Sequence, residues 1–315
     1  MKILITGATG FVGSGLIKTL EERKYHVVGT SRQTRAGVPS NLINVGDISE
    51  TTDWSSVLQD CNTVVHTAGR AHILDDRAED KLAEFRRVNC AATLKLAHDA
   101  ENAGVKHFIF ISSIGVNGNK TEGVPFNELS IPQPTSDYAI SKLEAEQALQ
   151  AQFANSPMSI TIIRPALICG ENAPGNIRRL LKIVASGLPL PFKGIKNKRG
   201  MVSLDNVISF IVACIENESS RNELFVLADN DAPSTEEIVG SFSSGMNKPP
   251  RVIWFPSSVL GLLLKIAGKK NLYEQLFGSL EIDASKSVRV LNWQAPVTIF
   301  ETMEKTAKYY SKENK

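Results

Sequence analysis

The 315-residue chain has only four cysteines (Cys61, Cys90, Cys169 and Cys214), none in a Cys-x-x-Cys pair. That scarcity excludes a disulfide framework and a cysteine zinc site. The five histidines do not stand at ligand spacing either, so no metal centre is expected. Long apolar runs are missing: the longest, from Val259 to Ala267, is interrupted by Lys265 and is too short to cross a bilayer. The first residues, MKILITGATG, open directly on a strand pattern with no basic-then-apolar leader. Nor is there an excess of one charge. Thirty-five Lys and Arg against 33 Asp and Glu leave +2, too little bulk charge to hold a nucleic acid. No Gly-x-Ser-x-Gly elbow supports a serine hydrolase, and no internal repeat appears. With 42% hydrophobic and 22% charged residues there is ample material for a core. The expectation is a soluble, cytoplasmic protein with no membrane span and no nucleic-acid partner.

Short β-branched runs alternate with helical patterns up to about residue 165. Lys2–Thr6, His26–Thr30, Thr63–Thr67, His107–Ile111 and Ser159–Ile163 are nearly continuous apolar stretches, as strands become when helices cover both sheet faces. Helical spacing falls on Phe11–Arg23, on about Asp80–Ala103 and on Ser136–Ala154. This alternation predicts an α/β fold, a Rossmann-type doubly wound parallel sheet over residues 1–165. Residues 166–315 turn to Gly/Pro-rich loops and short helices. They are read as a smaller, mainly substrate-binding domain interleaved with the first.

Gly7-Ala8-Thr9-Gly10-Phe11-Val12-Gly13 follows the first strand and opens the first helix. Glycines there permit a tight turn and a close backbone approach to a pyrophosphate, and the helix N-terminus offers unpaired N–H groups to the anion. The segment predicts a dinucleotide. At the end of the second strand, where an NAD site places a carboxylate, the sequence reads Ser31-Arg32-Gln33-Thr34-Arg35. Arg32 and Arg35 suit a 2′-phosphate bidentately and Ser31 can donate to it, so NADP(H) is favoured, with NAD(H) as the alternative. Asp47 and Ile48 are placed to touch the adenine end.

Tyr138-Ala139-Ile140-Ser141-Lys142 sets a tyrosine and a lysine one helical turn apart. A phenol is a poor acid–base group at neutral pH, and an adjacent ammonium is expected to favour its phenolate. Ser112-Ser113 follows the fourth of these strands, where strand carboxyl ends meet the ligand crevice, and can hydrogen-bond a substrate oxygen beside the tyrosine. Asn89 lies mid-helix, where its low helix propensity suggests either a structural bond to backbone or a catalytic water relay.

GATGFVG, GDIS, VVHTAG, VNCAAT, ISSIGVNG, YAISK and IIRP occur in order along the chain. Together they resemble the extended short-chain dehydrogenase/reductase group, the NAD(P)-dependent epimerases and dehydratases. Within it the chain is similar to UDP-hexose 4-epimerases and UDP-4-keto-sugar reductases. The resemblance implies a triad of Ser113, Tyr138 and Lys142, with Tyr138 exchanging a proton at the sugar O4 and Lys142 also binding the nicotinamide ribose. It places Pro165, Ala68 and Gly69 about the nicotinamide and counts Asn89 among the cofactor contacts. It assigns Asn176 to the segment gripping the nucleotide diphosphate, Phe192 to the uracil and Arg199 to the diphosphate. His72 would fall near the sugar. An arginine that many epimerases carry just before Asp283-Ala284-Ser285-Lys286 is missing, since the segment reads GSLEIDASK. The implied reactions are reduction of a UDP-4-keto-6-deoxy-hexosamine for surface polysaccharide, or 4-epimerisation of UDP-glucose or UDP-N-acetylglucosamine with retained NAD. Ile114 and Gly115, standing where a dehydratase has an acidic pair, count against dehydration, and the intact triad counts against a non-catalytic nucleotide sensor. A homodimer is implied, with Leu82, Leu94, Leu143 and Leu149 as candidate interface residues.

Overall fold

The computed structural model describes residues 1–33, 41–71, 78–266 and 270–314. Its strands are β1 (Lys2–Thr6), β2 (His26–Ser31), β3 (Leu42–Asn44), β4 (Thr63–His66), β5 (His107–Ile111), β6 (Ser159–Pro165), β7 (Leu167–Cys169), β8 (Met201–Ser203) and β9 (Leu224–Leu227). The helices begin with α1 (Phe11–Glu22), α2 (Ser55–Leu58), α3 (Lys81–Arg86), α4 (Ala92–Asn102) and α5 (Asp137–Gln152). After them come α6 (Gly175–Ala185), α7 (Leu204–Glu216), α8 (Thr235–Gly245), α9 (Ser257–Ile266), α10 (Lys270–Phe277), α11 (Ser285–Leu291) and α12 (Ile299–Glu313).

Seven strands pair in parallel in the order β3-β2-β1-β4-β5-β6-β9. The order reverses between β1 and β4, the switch point at which a crevice opens beyond the strand carboxyl ends. Residues on both sheet faces are buried, which explains the unbroken apolar runs. On one face Leu16, Ile17 and Leu20 of α1 meet Phe210 and Ile211 of α7; on the other, Leu96 of α4 and Ala145 and Leu149 of α5 pack with Phe108 and Phe110. Side chains of that size each gain roughly 1.5–3 kcal/mol on full burial.

The three expected helices form, with α3 and α4 joined through a π-helical turn at Arg87–Ala91. Asp80 caps α3 by accepting from Ala83 N at 2.9 Å, and Ser136 caps α5 by accepting from Ala139 N. Each such cap supplies about 1 kcal/mol. β9 completes the sheet edge with residues that follow position 165, and α7 covers α1. The remaining lobe packs α6, α8 and α12 around Ile177, Leu181, Phe242 and Met303.

Candidate active site

The carboxyl ends of β1, β2 and β4 surround a cleft of about 460 Å³, lined by Gly7, Thr9, Gly10, Ser31, Arg32, Asp47, Ile48, Ala68 and Gly69 among others. Gly7 adopts φ 67°, and a Cβ there would stand 2.8 Å from the Ala68 backbone. A Cβ on Gly13 would lie 2.3 Å from the Gly7 carbonyl oxygen. Both positions therefore need glycine for the turn to close. No side chain caps the N-terminus of α1, and its first turn, which includes Phe11 and Val12, has no carboxylate. Its N–H groups and dipole remain for an anion. At the far wall Arg32 Nη1 is 4.0 Å from Asp47 Oδ1, both side chains about four-fifths exposed. Such a solvated pair holds Arg32 weakly and leaves it free to turn to a ligand. Arg35 and His72 lie outside the described residues.

Lys142 Nζ lies just behind Gly69 of the cleft wall. It is buried, donates to the Ile111 carbonyl at 2.9 Å and lies 4.5 Å from the centre of the Phe110 ring. A Cβ on Gly69 would be 3.4 Å from this ammonium. Burial pulls the Lys142 pKa down to about 8, against the opposing pull of the Glu146 carboxylate. Tyr138, one turn earlier, lies near the Ser113 side chain, whose influence favours the phenolate. Its phenol does not behave as the sequence predicts. Burial outweighs the influence of Ser113 and pushes its pKa up to about 12, while Lys142 faces the sheet and does not lower it. The tyrosine is thus held as a proton donor. Pro165 ends β6, buried beside Leu227 of β9. The Ser112 hydroxyl, buried next to Ser113, makes no hydrogen bond among the described residues.

Asn89 corrects a second expectation. Fully buried on the π-helical turn, it accepts from Arg70 N at 2.7 Å and donates to Arg70 O at 3.1 Å and to Ser141 Oγ at 3.0 Å. Its side chain is spent clamping the β4 turn to the Tyr138 helix, so it supports the cleft wall instead of lining it. Of the two roles open to it, the structural bond to backbone is the one observed. A network absent from the sequence analysis lies one turn past Lys142. There Glu146 pairs with Arg164, whose Nη1 also donates to Asn117 Oδ1 at 3.0 Å. Only the Glu that follows Tyr-x-x-x-Lys by four residues could have signalled it, through helical spacing.

The candidate substrate residues separate. Arg199 is half-buried; it donates to the Gly278 carbonyl at 3.1 Å, and no carboxylate pairs with it among the described residues. A half-buried guanidinium of that kind suits an anionic ligand. Asn176 sits exposed in the first turn of α6, with Nδ2 3.4 Å from Gln275 Oε1. Phe192, expected against a uracil, is instead 5% exposed and packs on Phe277 with ring centres 5.6 Å apart. It is a core residue of the lobe, because the loop carrying it folds inward over α6 and α8.

Residues 3–228 match the NAD dependent epimerase/dehydratase family. The chain belongs to that family. A UDP-glucose 4-epimerase from Vibrio cholerae is 38% identical over 99% of this chain and 96% of its own length. An N-acetyl-alpha-D-glucosaminyl-diphospho-ditrans,octacis-undecaprenol 4-epimerase from Escherichia coli O157:H7 is 28% identical over 98% and 94%. The fold matches a UDP-glucuronic acid 4-epimerase from Bacillus cereus, solved with UDP-glucuronic acid and NAD, at TM-score 0.77 and 22% identity, covering 100% and 99% of the two chains. As a member of an NAD-dependent family the chain has a cleft that fits its cofactor: a glycine turn a Cβ would block, an uncapped helix end, and Gly69 in its wall with the Lys142 ammonium directly behind.

Proposed function

We propose that this chain carries out NAD(P)-dependent oxidoreduction at C4 of a UDP-sugar. The observation that carries the reading is that Tyr138 and Ser113 stand together on α5 and just after β5, with buried Lys142 one turn on from Tyr138 and directly behind Gly69 of the dinucleotide cleft. Bound NAD(P) would supply hydride exchange at C4. Tyr138 exchanges the matching proton at the sugar O4, and its raised pKa suits it to give that proton to a forming alkoxide. Ser113 orients the oxygen being protonated. Lys142 places a positive charge near the reacting centre and below the ribose position, and Arg199 meets the diphosphate.

The preferred net reaction is NADPH-dependent reduction of a UDP-4-keto-6-deoxy-hexosamine, supplying surface polysaccharide. Its support is the end of β2, where Ser31 and Arg32 line the cleft and no carboxylate follows directly. The second reading is a 4-epimerase with retained NAD, supported by the Vibrio cholerae relative. Two measurements separate them. Denaturing the purified protein and identifying released nucleotide gives NAD for the epimerase and none for the reductase. Assay with a UDP-4-keto-6-deoxy-hexosamine gives one NADPH oxidised per product for the reductase; interconversion of UDP-glucose and UDP-galactose without added cofactor overturns that preference.

A further inference from the structure

The net charge of +2 conceals a segregation. From Asn176 through Leu204 the chain carries seven Lys/Arg and no Asp/Glu; from Ile238 through Tyr273 it carries five and again none. The remainder is left with 23 Lys/Arg against 33 Asp/Glu. The fold brings the two basic segments together: Leu190 N donates to Arg251 O and Ile253 N to Leu190 O, both at 2.8 Å, and Lys193 N donates to Ile253 O at 3.2 Å. Across the same seam Lys248 Nζ donates to the Ala185 carbonyl at 2.6 Å.

The loop of the first segment meets two carboxylates, with Gly194 N donating to Glu236 Oε2 at 2.7 Å and Lys198 pairing with Glu281, and leaves its other lysines outward. Large apolar side chains stand out from these basic segments. Leu188 is 63% exposed, Ile253 47% and Trp254 70%. Next along the chain comes α9, whose sequence SSVLGLLLKI is mostly apolar and whose Val259 and Ile266 are also exposed. A hollow of about 310 Å³ opens between Leu188, Lys248 and Arg251. Apolar and aromatic side chains projecting among lysines and arginines suit the boundary between lipid headgroups and acyl chains, where cations meet anionic headgroups and the apolar groups leave water. Among the described residues no helix is long and apolar enough to cross a membrane, so contact of this kind lies on the surface.

We propose that this face of the C-terminal lobe docks on an anionic lipid bilayer. Association with the bilayer goes beyond the reaction proposed above and does not depend on it. A nucleic acid would answer the charge alone and leave Trp254, Leu188 and Ile253 in water. The bilayer answers both features.

The test uses the full chain without nucleotide. It is mixed with vesicles of phosphatidylcholine alone, or of phosphatidylcholine with phosphatidylglycerol, and sedimented at low and high salt. Trp54 is fully buried and Trp293 is 9% exposed, so an emission change on binding reports Trp254. The expected result is sedimentation with phosphatidylglycerol vesicles only, weakened by salt and accompanied by a blue shift. Trp254→Ser should abolish the shift and weaken binding. Lys193→Glu with Lys265→Glu, both at exposed positions, should weaken binding by roughly tenfold or more. All variants should keep the wild-type Tm and the vesicle-free turnover. Failure to sediment with anionic vesicles overturns the proposal, as does binding that all three substitutions leave unchanged. Two other results overturn it as well: self-association that Trp254→Ser abolishes while vesicles are ignored, and binding to duplex DNA in their place.

Discussion

Glu146 and Arg164 form an ion pair almost wholly removed from water, their side chains 1% and 5% exposed, with Arg164 Nε 3.0 Å from Glu146 Oε1. The pair ties the end of β6 to the helix bearing Tyr138 and Lys142, and Asn117 extends it to the loop after Ser113. A buried pair of this kind is worth less than its geometry suggests, because both ions were desolvated to make it. Removing one partner is another matter. Arg164→Met should lower stability by about 3–5 kcal/mol, since Glu146 is left charged and unpaired. Glu146→Leu combined with Arg164→Met should cost much less than the two single changes added together. Urea unfolding of the four proteins measures this; additive losses would show that the two residues are not coupled.

The strands were legible because both sheet faces are covered: Lys2–Thr6 and His107–Ile111 match β1 and β5 residue for residue. The glycine turn was legible because it is local. What escaped depends on contacts distant in sequence or on very short elements. β3, β7 and β8 have three residues each, too few for a period to show. Arg164 and Glu146 meet only once β6 lies beside α5. The burial of Phe192 needs Phe277, far along the chain. Asn89 was marked by its poor fit to a helix, and the π-helical turn supplies the reason. The charge segregation of the C-terminal lobe was masked by its acidic counterpart in the total.

Cofactor preference should follow Arg32. Arg32→Asp removes a charge-assisted donor and sets a carboxylate toward the 2′-phosphate, so NADP(H) binding should weaken by more than roughly tenfold while NAD(H) binding holds or improves. Titration of both nucleotides by fluorescence measures the ratio. A wild-type protein binding NADH as tightly as NADPH defeats the assignment.

Two buried histidines predict loss of stability in acid. His66, held between Thr6 and Thr93 hydroxyls, has its pKa lowered by burial and by the Lys142 charge to about 3; burial brings His107 to about 4. Both lie below the ordinary 6.5, so the unfolded chain takes up protons first as pH falls. Their contribution is complete above about pH 6.5 and is lost below it, by roughly 1.4 kcal/mol per pH unit per group. Between pH 6.5 and 5 the dependence of unfolding free energy on pH should approach two protons, and His66→Gln should reduce it by one. A flat profile over that window contradicts the burial of both rings.

A homodimer through α3 and α5 remains a proposal, with its contact narrowed. Leu149 is fully buried and Leu94 packs on the same core, so neither is free for a partner. Leu82 and Leu143 are half-buried, beside the Arg86–Glu144 pair that joins the two helices. Leu82→Glu with Leu143→Glu should turn a dimer into a monomer in sedimentation without lowering Tm. A wild-type chain that is monomeric at micromolar concentration removes the proposal.

Tyr138→Phe tests the chemistry most directly. The ring and its edge contact with Phe85, centres 6.2 Å apart, are retained, while the proton aimed at O4 is lost. General acid–base groups supply roughly 10²–10⁴-fold in rate, so kcat should fall by that factor with little change in cofactor affinity. Lys142→Met should reduce both kcat and cofactor affinity, because the proposed reading also assigns the lysine to the ribose. With its pKa at about 12 the phenol stays protonated through neutral pH, so the reductive direction, which starts from the phenol, should be nearly flat in pH until Lys142 begins to titrate. Lys142 has lost half its charge by about pH 8, so the rate should already be declining there. The oxidative direction starts from the phenolate and should rise with pH over the same range. Near-normal turnover by Tyr138→Phe would remove Tyr138 from the reaction, and with it the reading of this cleft as a C4 oxidoreductase site.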